Sequence, residues 1–134
     1  MGILRFFKAL FGICATKPLA DNMWSLDNGA AKVKVGDVVE LAENGGAVYL
    51  QGKGLAKPIL VVKSQNGEYL AFTNSCTHAG RRLDPMEGED KLRCCSIGHS
   101  QFDYDGNIVS GGAKDPLKKH EIELGEDGVL IVKL

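Results

Sequence analysis

The stretch "CTHAGRRLDPMEGEDKLRCCSIGHSQFD", from Cys76 to Asp103, constrains this chain more than any other. Cys76 and His78 stand two apart, Cys95 and His99 stand four apart, and sixteen residues separate His78 from Cys95. Each pair falls in a loop. The first follows the apolar run "EYLAF", and the second lies between "KLRC" and "QFDYDG". A fold that brings the two loops to one end of a sheet offers two thiolates and two imidazoles to one site. Thiolates suit zinc or an iron–sulfur centre, and neutral imidazoles suit either. Zinc fingers and ribbons usually group Cys with Cys and His with His, or use four Cys. Here each loop supplies one of each, which suits a two-iron cluster with both thiolates on one iron and both imidazoles on the other.

The flanking sequence reads as strands that could carry such loops. From Lys32 onward short apolar or alternating runs recur: "KVKVGDVVEL", "AVYLQ", "PILVVK", "EYLAF", "KLRCC", "FDYDGNIVS", "KKHEIEL" and "VLIVKL". Asn66-Gly67, Asp105-Gly106 and "GEDG" mark hairpin turns between them. The 17 glycines fit a chain rich in tight turns. Short strands with turn signals at regular spacing predict an antiparallel all-β domain over residues 31–134. Residues 1–30 then form an appendage. Its residues 3–16, "ILRFFKALFGICAT", wind into an amphipathic helix with Ile3, Leu4, Phe6, Phe7, Leu10, Phe11, Ile13 and Cys14 on one broad face. Pro18 ends the helix, and residues 17–30 follow as a linker or extended lead-in. Two readings of the helix stand side by side. It packs on its own domain or a second subunit, or it lies on a membrane surface with Arg5 and Lys8 toward the headgroups. A short signal peptide is a third reading of the same residues. No run approaches the roughly 20 apolar residues that span a bilayer, which points to a cytoplasmic protein, with membrane-surface association if the helix lies on a bilayer.

Composition removes other classes. The 16 Lys and Arg nearly balance the 17 Asp and Glu, giving a formal net charge of −1. No basic stripe is available for nucleic acid. The four cysteines, Cys14, Cys76, Cys94 and Cys95, do not form a disulfide scaffold, because the chain is not short and two of them are neighbours. Three histidines, two committed to the loops, leave too few for a mononuclear iron centre of the two-His-one-carboxylate type. Cys94 reads as a buried small side chain or a spectator, with Cys94 and His99 as an alternative ligand pair. Cys14 reads as packing, and His120 in "KKHEIEL" as a surface or half-buried residue. Arg81, Arg82, Lys91 and Arg93 form either a docking rim for an acidic partner or a solvated face.

With these residues in view, the chain resembles the Rieske [2Fe-2S] proteins. Their pattern is Cys-x-His, about sixteen residues, then Cys-x-x-His. "CTHAGRRL" matches the first loop throughout, including Gly80 and Leu83, and "FDYDG" matches the hairpin after the second loop. "GGAKDPLKKHEIEL" resembles the Gly/Pro loop that shields the cluster, with Pro116 in it. The resemblance implies a β-sandwich with a two-loop cluster-binding subdomain and a [2Fe-2S] cluster held by Cys76, His78, Cys95 and His99. It implies electrons passing through the two histidines and coupling of reduction to imidazole protonation. One departure stands out: counting back from Phe102, the family places His at 98 and Gly at 99, and this chain has Gly98 and His99. A glycine can absorb the extra step. Quinol-oxidising members carry a Ser and a Tyr that donate hydrogen bonds near the cluster. Those positions here are Ser100 and Phe102, so one donor is kept. Arg81 stands where their inter-loop disulfide would begin. The implied function is a single-electron carrier, not an enzyme in itself, working between reductase, oxygenase or respiratory partners. The rival expectations are a permanently bound subunit of an oxidoreductase complex and a zinc-stabilised binding module.

Overall fold

The computed structural model describes residues 15–77, 81–95 and 100–134. These form twelve short strands in three antiparallel sheets. The strands are β1 (Trp24–Asp27), β2 (Ala30–Lys34), β3 (Ala47–Leu50), β4 (Ile59–Lys63), β5 (Tyr69–Thr73), β6 (Leu83–Pro85), β7 (Lys91–Cys94), β8 (Gln101–Asp103), β9 (Ile108–Ser110), β10 (Lys119–His120), β11 (Ile122–Leu124) and β12 (Val129–Lys133). Their orders are β1-β2-β12-β11, β10-β5-β4-β3 and β6-β7-β8-β9. The all-β antiparallel architecture is the one the turn signals predict, and the hairpin at Asn66-Gly67 is present with Gly67 at φ +88°.

The middle sheet carries the fold. Side chains alternate across a strand, and β4 reads Ile59, Leu60, Val61, Val62, all buried. Ile59 and Val61 face one core with Val48, Leu50, Ala71, Val33, Leu130 and Val132. Leu60 and Val62 face a second core with Phe72, Leu83, Leu92, Phe102, Tyr104 and Leu117. The first core joins the middle sheet to the β1–β12 sheet. The second joins it to the β6–β9 sheet, the part that carries the two loops. An apolar run without alternation is what a strand buried on both faces needs.

Three local readings change. In "KVKVGDVVEL" only β2 is strand; residues 35–41 turn as two 3-10 segments that bury Val35 and Leu41. Gly36-Asp37 breaks the strand because the chain must turn to seal the first core. The stretch expected as linker carries β1, which pairs with β2 from Trp24↔Val33 to Asp27↔Ala30. Trp24 there is buried, and Lys53 packs over its ring at 4.8 Å. "KKHEIEL" splits at Glu121: β10 pairs with β5, while β11 pairs with β12 in another sheet. The helix expected over residues 3–16 lies outside the described residues except at Ala15 and Thr16. Those two amides donate to the buried carboxylate of Asp84, at 2.7 and 2.9 Å. Residues 17–19 then run beside β3, through Leu19 N–H to Tyr49 O and Tyr49 N–H to Lys17 O.

His120 sits at the strand that changes sheets and is more buried than expected, at 8% exposure. Its Nδ1 lies 3.0 Å from the carbonyl of Lys133, and its Nε2 lies 3.0 Å from Thr73 Oγ1. A carbonyl only accepts, so Nδ1 carries the proton and Nε2 accepts from the threonine. Burial lowers the His120 pKa below its ordinary 6.5; the Lys133 carbonyl opposes this and nearby Lys118 adds to it. The unfolded chain therefore binds a proton that the folded chain resists, so stability falls as pH drops through and below 6.5. In thermal unfolding, the wild type loses midpoint temperature between pH 7.5 and pH 5. His120→Gln starts lower at pH 7.5 and shows a smaller loss over the same interval.

Candidate metal centre

Two loop stems meet beside the β6–β9 sheet. Cys76 follows β5 and Cys95 follows β7. Both are buried, at 2% and 3% exposure. The amide of Cys76 donates to the carbonyl of Arg81 at 2.7 Å, and the amide of Cys95 donates to the carbonyl of Arg82 at 3.0 Å. These two bonds join consecutive carbonyls of one stretch to the two cysteine stems. Residues 81–82 therefore hold the two cysteine backbones together. Leu83 continues this stretch into β6, where it pairs opposite Cys94. Its own amide donates to Asn74 Oδ1 at 2.8 Å, which ties the end of β5 to the start of β6. Backbone donors at this buried corner thus find partners, as buried amides must.

A third segment closes over the loops. Thr77 Oγ1 donates to the carbonyl of Asp115 at 2.6 Å. The Ala113 amide donates to Ser100 Oγ at 3.1 Å, in a buried setting. The Leu117 amide donates to the carbonyl of Gly106 at 2.8 Å. Residues 113–117 are thus fastened to the first loop, the second loop and the β8–β9 turn. Gly106 is required there: its φ is +89°, and a Cβ would stand 2.5 Å from the Leu117 carbonyl oxygen. Pro116 and Thr77 border a cavity of about 440 Å³, whose wall also includes Ser75, Thr73, His120 and Lys118.

Among the described residues, no three His, Cys, Asp or Glu side chains gather as a metal-holding group. His78 and His99, with Gly80, Gly98, Ser96 and Ile97, lie outside them, so the Cys-x-x-x-His spacing of the second loop does too. Cys76 is a free thiol. Cys95 is disulfide-bonded, and ligation of iron uses its reduced, thiolate form. Cys94 is fully buried in the second core with Leu92 and Phe102. Phe102 is buried there too, opposite Leu92 on β7. Of the basic rim, Lys91 faces Glu89 at 3.7 Å and Arg82 stacks over the Tyr49 ring at 5.9 Å. Exposed pairs such as the first contribute little.

The Rieske [2Fe-2S] domain model matches residues 31–121. The chain belongs to the Rieske [2Fe-2S] domain family. Domains of this family bind a [2Fe-2S] cluster and serve electron transfer, in ferredoxins and in oxygenase subunits alike. Among curated proteins, biphenyl 2,3-dioxygenase subunit alpha of Rhodococcus jostii (strain RHA1) is 39% identical over 54 residues, 40% of this chain. The match spans only 12% of that subunit. The ferredoxin of carbazole 1,9a-dioxygenase from Nocardioides aromaticivorans IC177 superposes with a TM-score of 0.56 at 16% identity, over 68% of this chain and 86% of that one. The plasma membrane Rieske protein of Synechocystis PCC 6803 superposes with a TM-score of 0.53 at 23% identity, over 64% and 86% of the two chains. These two likenesses show the fold. No helix among the described residues is long and apolar enough to cross a membrane.

Two features of this chain fit the Rieske cluster. The buried cysteines that follow β5 and β7, Cys76 and Cys95, are both bonded to one two-residue stretch. The Ser100 hydroxyl, 1% exposed, accepts from Ala113 and so keeps its own proton to donate. Thr77 and Ala113 were not singled out in the sequence, since a threonine beside a ligand and an alanine in a glycine-rich loop carry no distinctive signal. Replacing Thr77 with Val removes the bond to Asp115. The expected cost is about 1 kcal/mol in chemical denaturation, with faster exchange of the Ala113 and Leu117 amides. Gly106→Ala costs about 1–3 kcal/mol through forced positive φ and displacement of Leu117.

Proposed function

We propose that this chain is a one-electron carrier of the Rieske ferredoxin type, with the [2Fe-2S] cluster held by Cys76, His78, Cys95 and His99. The observation that carries the proposal is the placement of Cys76 and Cys95, buried and fastened to the consecutive carbonyls of Arg81 and Arg82. Two cysteine-bearing stems held by one stretch support a site that takes one thiolate from each loop, as the one-Cys-one-His division of the motif requires. Bound there, the cluster supplies reversible one-electron chemistry at roughly −150 to +300 mV. The protein's residues do the rest. The second core excludes water from the cysteine side. Ser100 would donate a hydrogen bond toward the sulfurs and raise the potential, while Phe102 contributes packing and no proton. The loop 113–117, with Pro116, shields one flank. The two imidazoles carry protons whose affinity rises on reduction.

Protein redox partners follow from the family, and a reductase or an oxygenase component is the class proposed. The carrier itself turns over no substrate. Its proposed setting is the cytoplasm, at a membrane surface if residues 3–16 contact lipid. A second reading, a subunit held permanently in an oxidoreductase complex, draws support from the way Asp84 and Tyr49 pin residues 15–19 onto the domain. That pinning gives whatever precedes Ala15 a fixed point of departure. The two readings differ in solution state. A free carrier lacking residues 1–14 stays monomeric and keeps its cluster; a subunit aggregates or dissociates from its complex when so shortened. The cut belongs before Ala15 because Leu19 is part of the first core.

The deciding experiment is film voltammetry of the purified, reduced and reconstituted protein from about pH 5 to pH 11, with iron and sulfide analysis. A one-electron wave that falls by up to about 59 mV per pH unit above the imidazole pKa values is expected. Ser100→Ala lowers the potential without abolishing the wave, and Cys76→Ser abolishes it. Zinc in place of iron, or a full Rieske signal in His99→Ala, overturns the carrier reading or the ligand set respectively.

A further inference from the structure

Among the described residues, Asn74 holds a buried side-chain amide that the polypeptide does not fully use. The residue is 0% exposed and stands two positions before Cys76. Its backbone amide donates to the Pro58 carbonyl at 2.8 Å. Its side-chain Oδ1 accepts from the Leu83 amide at 2.8 Å, which fixes the orientation of the side chain: the oxygen faces Leu83 and the nitrogen faces away. Nδ2 is buried and has no hydrogen-bond partner. Buried polar groups in native proteins are satisfied almost without exception, so an orphaned NH2 group needs an acceptor.

The surroundings name the kind of acceptor. Leu83, to which Asn74 is bonded, lies opposite Cys94 and directly after the Arg81–Arg82 stretch whose carbonyls are already taken by Cys76 and Cys95. The second core beside it holds Leu60, Val62, Phe72, Leu92, Phe102 and Tyr104, whose buried hydroxyl is likewise without a partner, and none of them gives Nδ2 an acceptor. A bound cluster would bring new acceptors to this corner, its sulfides.

We propose that the Asn74 side-chain amide is a hydrogen-bond donor to a sulfide of the bound cluster, and so a positioning residue that raises the reduction potential. The inference rests on the Rieske reading above and adds to it a donor that the motif does not contain. An N–H aimed at sulfur stabilises the reduced state, which carries one more negative charge on the Fe–S core, more than the oxidised state. It acts beside Ser100, which approaches from the second loop while Asn74 approaches from the stem of the first. A chain with Phe102 in place of a hydroxyl-bearing ring keeps a second side-chain donor by this route.

The test uses the full-length, cluster-loaded protein with asparagine labelled by 15N at the side-chain nitrogen. Pulsed electron paramagnetic resonance of the dithionite-reduced state reads the weak hyperfine coupling that an N–H···S bond transmits. A 15N coupling in the wild type that disappears in Asn74→Asp is the expected result. Aspartate keeps an oxygen for the Leu83 amide and removes both donor hydrogens. The same variant then shifts the oxidised-to-reduced ratio at fixed potential about tenfold toward oxidised, a fall of about 59 mV for a one-electron couple. Asn74→Leu, uncharged and without a donor, separates loss of the donor from the added charge and is expected to fall in potential as well. If the wild type carries a normal Rieske spectrum with no 15N coupling, the proposal is overturned and the carrier reading stands. If no [2Fe-2S] signal forms in the wild type, both are overturned. The labelled wild type decides the matter even where a variant fails to fold.

Discussion

The arrangement of this chain depends on one short stretch, Arg81-Arg82, bonded to two cysteine-bearing loop stems. Its consecutive carbonyls take the amides of Cys76 and Cys95. Because the peptide unit is planar and its hydrogen bonds are directional, this fixes the two loop stems relative to each other whatever the loops carry at their tips. Removing either bond would leave a buried amide unsatisfied, so the stretch and the stems hold together or fail together. The Asn74–Leu83 bond extends the same lock one residue further, and β6 carries it into the sheet.

The rest of the structure supports that lock from behind. The middle sheet is buried on both faces, and β4 contributes to both cores with alternate residues. The second core therefore stands on the first: Phe72 and Leu60 press the β6–β9 sheet from a strand pair whose other face is already packed. Close packing of this kind resists displacement because few neighbouring rotamers are free to adjust. The segment 113–117 adds a clamp from outside, with Thr77, Ser100 and Gly106 as its three fastenings. A redox site benefits from such rigidity. For the proposed carrier, a stiff, dry cysteine side would let the charge state change with little rearrangement.

The entry of the chain is built with equal care. The carboxylate of Asp84, on β6, takes the amides of Ala15 and Thr16, and Tyr49 takes up the next three residues. The β1 strand then completes the first core with Trp24. What the sequence shows as an appendage is, from Ala15 onward, tied to the part that carries the loops. His120 and the break at Glu121 show the same economy in reverse, one strand serving two sheets by changing direction at a single residue.

The sequence by itself determined the class of fold and the family. Period-two apolar runs, Asn-Gly and Asp-Gly turns, and the order Cys, His, Cys, His at their spacings are local properties, and local patterns survive without knowledge of the partner strands. Only the tertiary structure decided the rest. It put Trp24–Asp27 into a sheet, turned residues 35–41 out of one, and divided "KKHEIEL" between two. It joined Thr77 to Asp115, Ser100 to Ala113 and Asn74 to Leu83. Those bonds link residues 38, 13 and 9 positions apart, and Asp84 reaches back 69 to Ala15. A short polar side chain carries no sign in the sequence of which distant amide or carbonyl it will meet. That depends on where packing of the apolar residues brings the backbone, and it is decided only when the sheets close.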